Sequence, residues 1–421
     1  MTGGEDVNLR ARPSYRDALA QPEFAALFAA RVLSTWGDHL ARVAIATLVL
    51  SRSGSALLSA ATFAVSFLPE VIGQALLAPY ADRLPRRTLL VLCDLLRAAV
   101  VVLLLLAITH HLPLVVVLVL LFLTELVGSP FSAASAALVS DLFDDRGAYL
   151  SASSLLSATG QLNQVVGLAL GGLVVGLVGP GDALWFDAAT FVVSAVLLRL
   201  FVVRRRAAHD VGAPSLGDLL TDTRDGVSHL RQDEPMRWLI VLAWLMLLAL
   251  VAPEAVALPY ARAHGQSPAV GGLLLASVPL GAALGVLVVN RWSPREQVRR
   301  LLPLATLAPV PLLALAFDPP WQVAAVLFAL SGACQGYMVP LMSTFTLLAP
   351  DAMRGRLNGL AGSGFALVSI LALLLVGAAA DATSPALAVV LSAGVTLLML
   401  AAIWPRWPRR AIEQGADRAF G

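Results

Sequence analysis

At 421 residues, 58% hydrophobic and 13% charged, with a mean hydropathy of +0.81, the chain is far too apolar for an ordinary soluble domain and belongs in a lipid bilayer. All 29 basic residues are arginine, so a phosphate loop ending in lysine is excluded and ATP-driven transport by this polypeptide with it. The six histidines and the cysteines Cys93 and Cys334 show no metal-ligand spacing, and the net charge of +2 leaves no nucleic-acid footprint beyond the arginines that flank apolar runs.

Residues 1–23 are polar and of mixed charge, unlike a cleavable signal peptide, so the first apolar helix is expected to be retained. Apolar runs of roughly 20 residues, the length that crosses a bilayer, then follow one another from Phe24 to Trp404. The first six are predicted at about 24–50, 56–79, 88–108, 114–139, a fifth ending near Val178, and a sixth from the Gly179-Pro-Gly-Asp182 turn to 203. Residues 204–237 turn polar and charged, a central loop in which Leu216, Leu219 and Leu220 suggest a surface helix. Six more runs are predicted at about 238–262, 269–289, 300–317, 321–348, 357–380 and 385–404, before a polar tail at 405–421. The expected fold is all-α and integral to the membrane, with twelve spans in two six-helix bundles, 24–203 and 238–404.

Orientation follows from the charged stretch Ala78-Pro-Tyr-Ala-Asp82-Arg83-Leu-Pro85-Arg86-Arg87, which interrupts two apolar runs. Basic residues mark the cytoplasmic side. Placing this loop inside leaves only Arg52 and Arg262 outside among the arginines of the loops, and puts both termini in the cytoplasm, as an even number of spans requires. An offset of 208 residues lays Asp82-Arg83 on Asn290-Arg291 and Arg146-Gly147 on Arg354-Gly355. Such internal repeats are the signature of a transporter whose substrate site lies between two similar bundles near the midplane.

These features together resemble the major facilitator superfamily over essentially the whole apolar length. The 78–87 loop is similar to the superfamily's Gly-x-x-x-Asp-Arg-x-Gly-Arg-Arg signature, matched by Asp82, Arg83, Arg86 and Arg87, with Ala78 and Pro85 in place of the glycines. Gly160, Gly167, Gly171 and Gly172 resemble the glycine motif of the antiporter branches, Leu168 standing where that motif has proline, and small residues on one face also allow close helix packing. Arg31-Val-Leu-Ser34-Thr-Trp-Gly37-Asp38, Cys93-Asp94-Leu-Leu-Arg97 and Phe186-Asp187-Ala-Ala-Thr resemble the branch of macrolide-efflux proteins and the enterobactin exporter. The resemblance implies export of a drug-like, siderophore-like or other amphipathic small molecule in exchange for protons, by alternating access. It implies a bacterial inner membrane, a monomer, no cofactor beyond the proton gradient, and a conformational lock at Asp82 and Arg83. An importer or facilitator of the same fold, and a sensor that has kept the fold without transport, are the alternatives.

An ionised group at the centre of a spanning helix costs roughly 2.5–3.5 kcal/mol on insertion scales, so each one asks for a reason. Asp38, Glu70, Glu125 and Glu254 lie well inside predicted spans. The resemblance implies that helices 1, 4, 7 and 10 line the cavity; three of the acids fall on that set, and helix 10 offers Gln335 and Tyr337. Such carboxylates could alternate between a proton and a cationic substrate. Asp38 could instead form a structural pair with Arg42, four residues on, or with Arg31. Glu125 has no arginine within a helical turn, whereas Glu70 and Glu254 follow Pro69 and Pro253, where a kink suits gating or a contact between bundles. Asp94 and Arg97, three apart, are expected to form a buried pair, and Asp187 to be structural.

Overall fold

The structure, a computed structural model, describes residues 15–76, 84–205 and 216–420. Asp82 and Arg83 lie outside the described residues. So does the side chain of Glu70, although its backbone is part of a helix. Among the described residues there is no strand.

The first half of the chain forms α1 (Pro22–Ser53), α2 (Ala56–Leu76), α3 (Arg86–Thr109), α4 (Leu114–Leu142), α5 (Arg146–Val178) and α6 (Pro180–Phe201). The second forms α7 (Glu234–Ala263), α8 (Pro268–Val289), α9 (Leu301–Phe317), α10 (Trp321–Leu348), α11 (Arg354–Ala382) and α12 (Pro385–Ile403). Among the described residues nine of these are long and apolar enough to cross a bilayer. The other three are α1, which holds Arg31, Asp38 and Arg42 along its length, α2, whose apolar part is Ala56–Pro69, and the short α9. A 17-residue helix, Leu216–Gln232, lies in the stretch between the halves, and the tail forms the helix Arg409–Phe420. Arg86 and Arg87 begin α3 rather than sitting in a loop.

Three spans of the second half are broken where proline removes a backbone donor. Pro253 cannot donate to Ala249, and α7 breaks at Val251 into Glu234–Leu250 and Ala252–Ala263. Pro311 begins a tighter 3-10 turn that completes α9, which therefore differs from the single helix predicted for 300–317. In α10, Pro340 lacks the N–H that would reach Gly336, and the segment Gln335–Tyr337 is 3-10.

Within the first half, α1 packs on α5 and α6, α3 on α4 and α6, and α2 on α4. Within the second, α8 packs on α7 and α10, and α7 and α9 meet α12. The halves are joined chiefly by α5 against α8 and α2 against α11. Small residues allow these crossings: a Cβ on Gly172 of α5 would lie 2.6 Å from Gly272 Cα of α8, and one on Gly377 of α11 would lie 2.8 Å from Leu57 Cα of α2. Gly167 and Gly171 serve a seam within the first half, where added methyls would meet His39 and Leu40 Cα at 2.9 Å. Gly160 is not part of a packing seam: a methyl there meets nothing within 4 Å. The same holds for Gly355, Gly359 and Gly362 of α11. The tight glycine crossings between the halves, Gly172 with Gly272 and Gly377 with Leu57, therefore lie toward the α1–α2 turn.

At that terminal end Arg205 forks onto Glu23 at 2.7 and 2.9 Å, and the Val203 N–H donates to Glu23 Oε2 at 2.9 Å. The Arg205 hydrogen bonds hold the Glu23 carboxyl below its ordinary value of 4.5, against a smaller opposing effect of burial. A depressed carboxyl contributes stability in full above its ordinary value and loses it as pH falls through the lowered one. Protection of the Val203 amide against hydrogen exchange is accordingly expected to hold above the ordinary carboxyl value of 4.5 and to fall as pH drops below it, and Glu23→Gln is expected to show the low protection at every pH.

Candidate functional site

The helical period puts Arg31, Ser34, Thr35, Asp38 and Arg42 on one face of α1. That face, with Ser66 of α2, Arg97 of α3 and Glu125, Gly128 and Ser129 of α4, lines a cavity of about 400 Å³. Ion pairs between helices organise it. Arg42 grips Glu125 with both arms of its guanidinium, Nε to Oε1 at 2.7 Å and Nη2 to Oε2 at 3.1 Å. Arg97 pairs with Asp38, donates to Ser34 Oγ at 3.1 Å, and lies 4.2 Å over the Phe191 ring of α6.

The expected local pairs are thus replaced by tertiary ones. Arg97 is not paired with Asp94; its partner is Asp38, while Asp94 accepts from Ser194 of α6 at 2.5 Å. Arg42 pairs with Glu125 rather than Asp38, because a carboxylate on the neighbouring helix meets the guanidinium fork squarely. Helix spacing cannot see such partners. Asp187 is wholly buried behind this network, with neither carboxyl oxygen hydrogen-bonded, in space left by Gly37, where a methyl would overlap Asp187 Oδ1 and Thr190 Oγ1.

The other residues singled out from the sequence sit elsewhere. Glu254 is half-buried just beyond the α7 break, without a hydrogen bond and near enough to Arg42 to feel its charge. Gln335 is half-buried, but Tyr337 does not line the cavity: it is fully buried in the apolar core shared by α7, α10 and α11. At the terminal end Arg86 pairs with Asp141 at 3.6 Å and Arg87 donates to the Val202 carbonyl at 3.1 Å, tying the start of α3 to the ends of α4 and α6.

At the opposite end a second set of polar contacts spans the two halves. Asp381 of α11 accepts from Ser55 Oγ and the Ala56 N–H, each at 2.5 Å, and from the Leu57 N–H at 3.1 Å. Arg262 of α7 donates to the Leu50 carbonyl at 2.6 Å. An acid from one half thus caps the start of α2 and a base caps the end of α1, each matching the partial charge of the helix end it meets. The turn is shaped to receive them by Gly54, whose positive φ of 69° ends α1. Sequence analysis passed over Asp381. Its signal was its place at the carboxyl end of a helix, where an acid opposes its own helix dipole and serves another's.

Comparison with known proteins places this geometry. The sequence profile of the Major Facilitator Superfamily matches residues 27–256 and 255–419. The chain belongs to this superfamily. Among its relatives, the multidrug efflux pump Tap of Mycolicibacterium fortuitum is 28% identical over 374 residues, 86% of this chain and 90% of that protein. Tap of Mycobacterium tuberculosis is 28% identical over 387 residues, 87% and 89% of the two chains. Among solved structures, the nucleoside transporter NupG superposes with a TM-score of 0.71 at 13% identity, covering 91% of this chain and 99% of that one. A bacterial homologue of the iron transporter ferroportin, in an inward-facing state, gives 0.65 at 16% identity, covering 91% and 98%. This superfamily member is a multi-pass membrane transporter, not an enzyme, with the two-bundle fold.

Two outcomes are expected of the site. Removing one partner of a buried ion pair strands the other, at about 3–5 kcal/mol, so Arg97→Gln should lower the melting temperature sharply and Asp38→Asn added to it should recover part of the loss. Hydrogen bonds to a charged group contribute about 1.5–3 kcal/mol each when shielded and less at a wet surface. Asp381→Asn with Arg262→Gln should therefore open the closed end at least about tenfold more often. Faster maleimide labelling of a cysteine placed at Ala269, with Cys93 and Cys334 replaced by alanine, would report it.

Proposed function

We propose that this transporter exports amphipathic small molecules in exchange for protons, in the inner membrane of a bacterium with both termini in the cytoplasm and one chain as the working unit. The observation that carries the reading is the pair of carboxylate–arginine bridges, Asp38–Arg97 and Glu125–Arg42, on a cavity wall whose helix α1 ends at a turn tied to the other half by Asp381 and Arg262. The kinship with proteins named multidrug efflux pumps supports the direction of transport.

In this reading the structure is the state open to the cytoplasm. A proton arriving on Asp38 or Glu125 removes the charge that holds its arginine, so the bridge between α1 and α3, or α1 and α4, loosens. Loosening those bridges changes how α1 sits against the α1–α2 turn, which is the element gripped by Asp381 and Arg262. Protonation and the closed end are thereby linked through one helix, as two states of a rigid element would require. The terminal end would be locked in the opposite state by the 78–87 loop, where Asp82 and Arg83 stand. Energy comes from the proton gradient, and the chain needs no further cofactor.

The test is accumulation of fluorescent amphipathic compounds in efflux-deficient bacteria with and without the protein. Lower accumulation that a protonophore restores is the expected result; raised accumulation would point to import instead. Glu125→Gln should abolish protonophore-sensitive export while leaving the protein in the membrane, and normal concentrative export by that variant would remove Glu125 from the coupling.

A further inference from the structure

The charges on the cavity wall do not balance one for one. Asp38 and Glu125 are engaged by Arg97 and Arg42, which leaves Arg31. Arg31 lies on the same face of α1, seven residues and therefore about 10 Å nearer the terminal end than Asp38. It is half-buried, lines the cavity, and among the described residues makes no hydrogen bond or ion pair. Among the described residues, the carboxylates of Glu254 in the second half and Asp187 of α6 also lack a hydrogen bond, and neither is on this lining. Among the described residues, no unengaged carboxylate faces the space that Arg31 faces.

A cation held in a partly dry site without a partner is unfavourable unless water or a ligand anion completes it. The guanidinium presents a rigid planar fork suited to a carboxylate or phosphate, and it keeps its charge at any physiological pH. Around it, Thr35 one turn further along α1 and Ser129 and Ser132 of α4 add hydroxyls to the same lining, and Phe131 adds an aromatic ring. A polar anion anchor beside apolar surface fits one end of an amphipathic molecule.

We propose that Arg31 is the docking point for an acidic group of the transported molecule, so that the preferred substrate is an amphipathic compound bearing a carboxylate or similar anion. The acids of the cavity, being engaged by arginine, then serve the proton and not a cationic ligand. This rests on the export reading for the word transported, but the binding preference stands apart from proton coupling and is measured without a gradient.

The experiment uses the full chain in lipid nanodiscs, with empty nanodiscs as the control for partition into lipid. Equilibrium binding of tetramethylrhodamine, which carries a free carboxylate, is compared with that of its methyl ester by fluorescence anisotropy. One charge-assisted contact corresponds to about tenfold or more in affinity, and that is the preference for the carboxylate form expected of the wild-type protein. Arg31→Gln should bring the two dyes within about twofold, and Arg31→Lys should retain an intermediate preference because it keeps the charge and loses the fork. Unchanged elution volume and melting temperature show that a variant is folded; if Arg31→Gln fails that check, Arg31→Lys alone reads the same preference. Binding of the ester as tight as that of the acid, binding of neither dye, or an unchanged preference in the variants would overturn the proposal. So would acetate or inorganic phosphate displacing the dye at equal concentration, which would mark a site for any small anion. A failed proton coupling, by contrast, would appear as protonophore-insensitive accumulation and leave the dye preference intact.

Discussion

Charges inside a low-dielectric membrane protein are tolerable only where something answers them, and in this protein the answer comes from across the helix boundary. Arg97 reaches from α3 to Asp38 and Ser34 on α1, and Arg42 reaches from α1 to Glu125 on α4. Each bridge fixes the rotation of α1 against a neighbour, so the helix that carries most of the cavity's charged face is also the one most constrained by charge. The apolar cores on either side set the helices at contact distance. The bridges decide which faces meet.

α1 is equally constrained at its far end. Its last turn and the first turn of α2 are held by residues of the other half, through Arg262 and Asp381. The same region contains close helix crossings between the halves, Gly172 against Gly272 and Gly377 against Leu57, where the absence of a side chain on each glycine lets the helix backbones approach. Small residues make the closed end geometrically possible, and the two charges make it specific. Toward the termini Gly160 of α5 and Gly355, Gly359 and Gly362 of α11 have no described neighbour within 4 Å of an added methyl, so these glycines serve no crossing between the halves.

Proline adds a third constraint on the second half. The break at Val251, the divided α9 and the 3-10 turn in α10 each follow from a missing donor in the next turn. The first half has prolines inside helices as well, Pro69 and Pro130, yet α2 and α4 continue through them. One half thus presents long helices carrying the charged wall, and the other presents interrupted helices around an apolar core.

Much of this was legible in the residues themselves. Span length, arginine placement and the offset of 208 between the halves rest on hydrophobic periodicity and charge, which are local properties, and they sufficed for the all-α membrane fold in two bundles, while the superfamily came from the resemblance of the 78–87 loop and its companion motifs. The acids that matter, Asp38 and Glu125, were also legible, because an ionisable residue in an apolar run is conspicuous. Their partners were not. Spacing along one helix suggested Asp94 for Arg97 and Arg42 for Asp38, whereas the real partners lie 59 and 83 residues apart in the chain. Tyr337 and Gly160 were misplaced for the same reason, since which face of a helix is buried depends on what packs against it. The sequence by itself determined the membrane, the helices and which residues must be answered; only the tertiary structure decided who answers them, because pairing is a matter of helix rotation and proximity that no local pattern encodes.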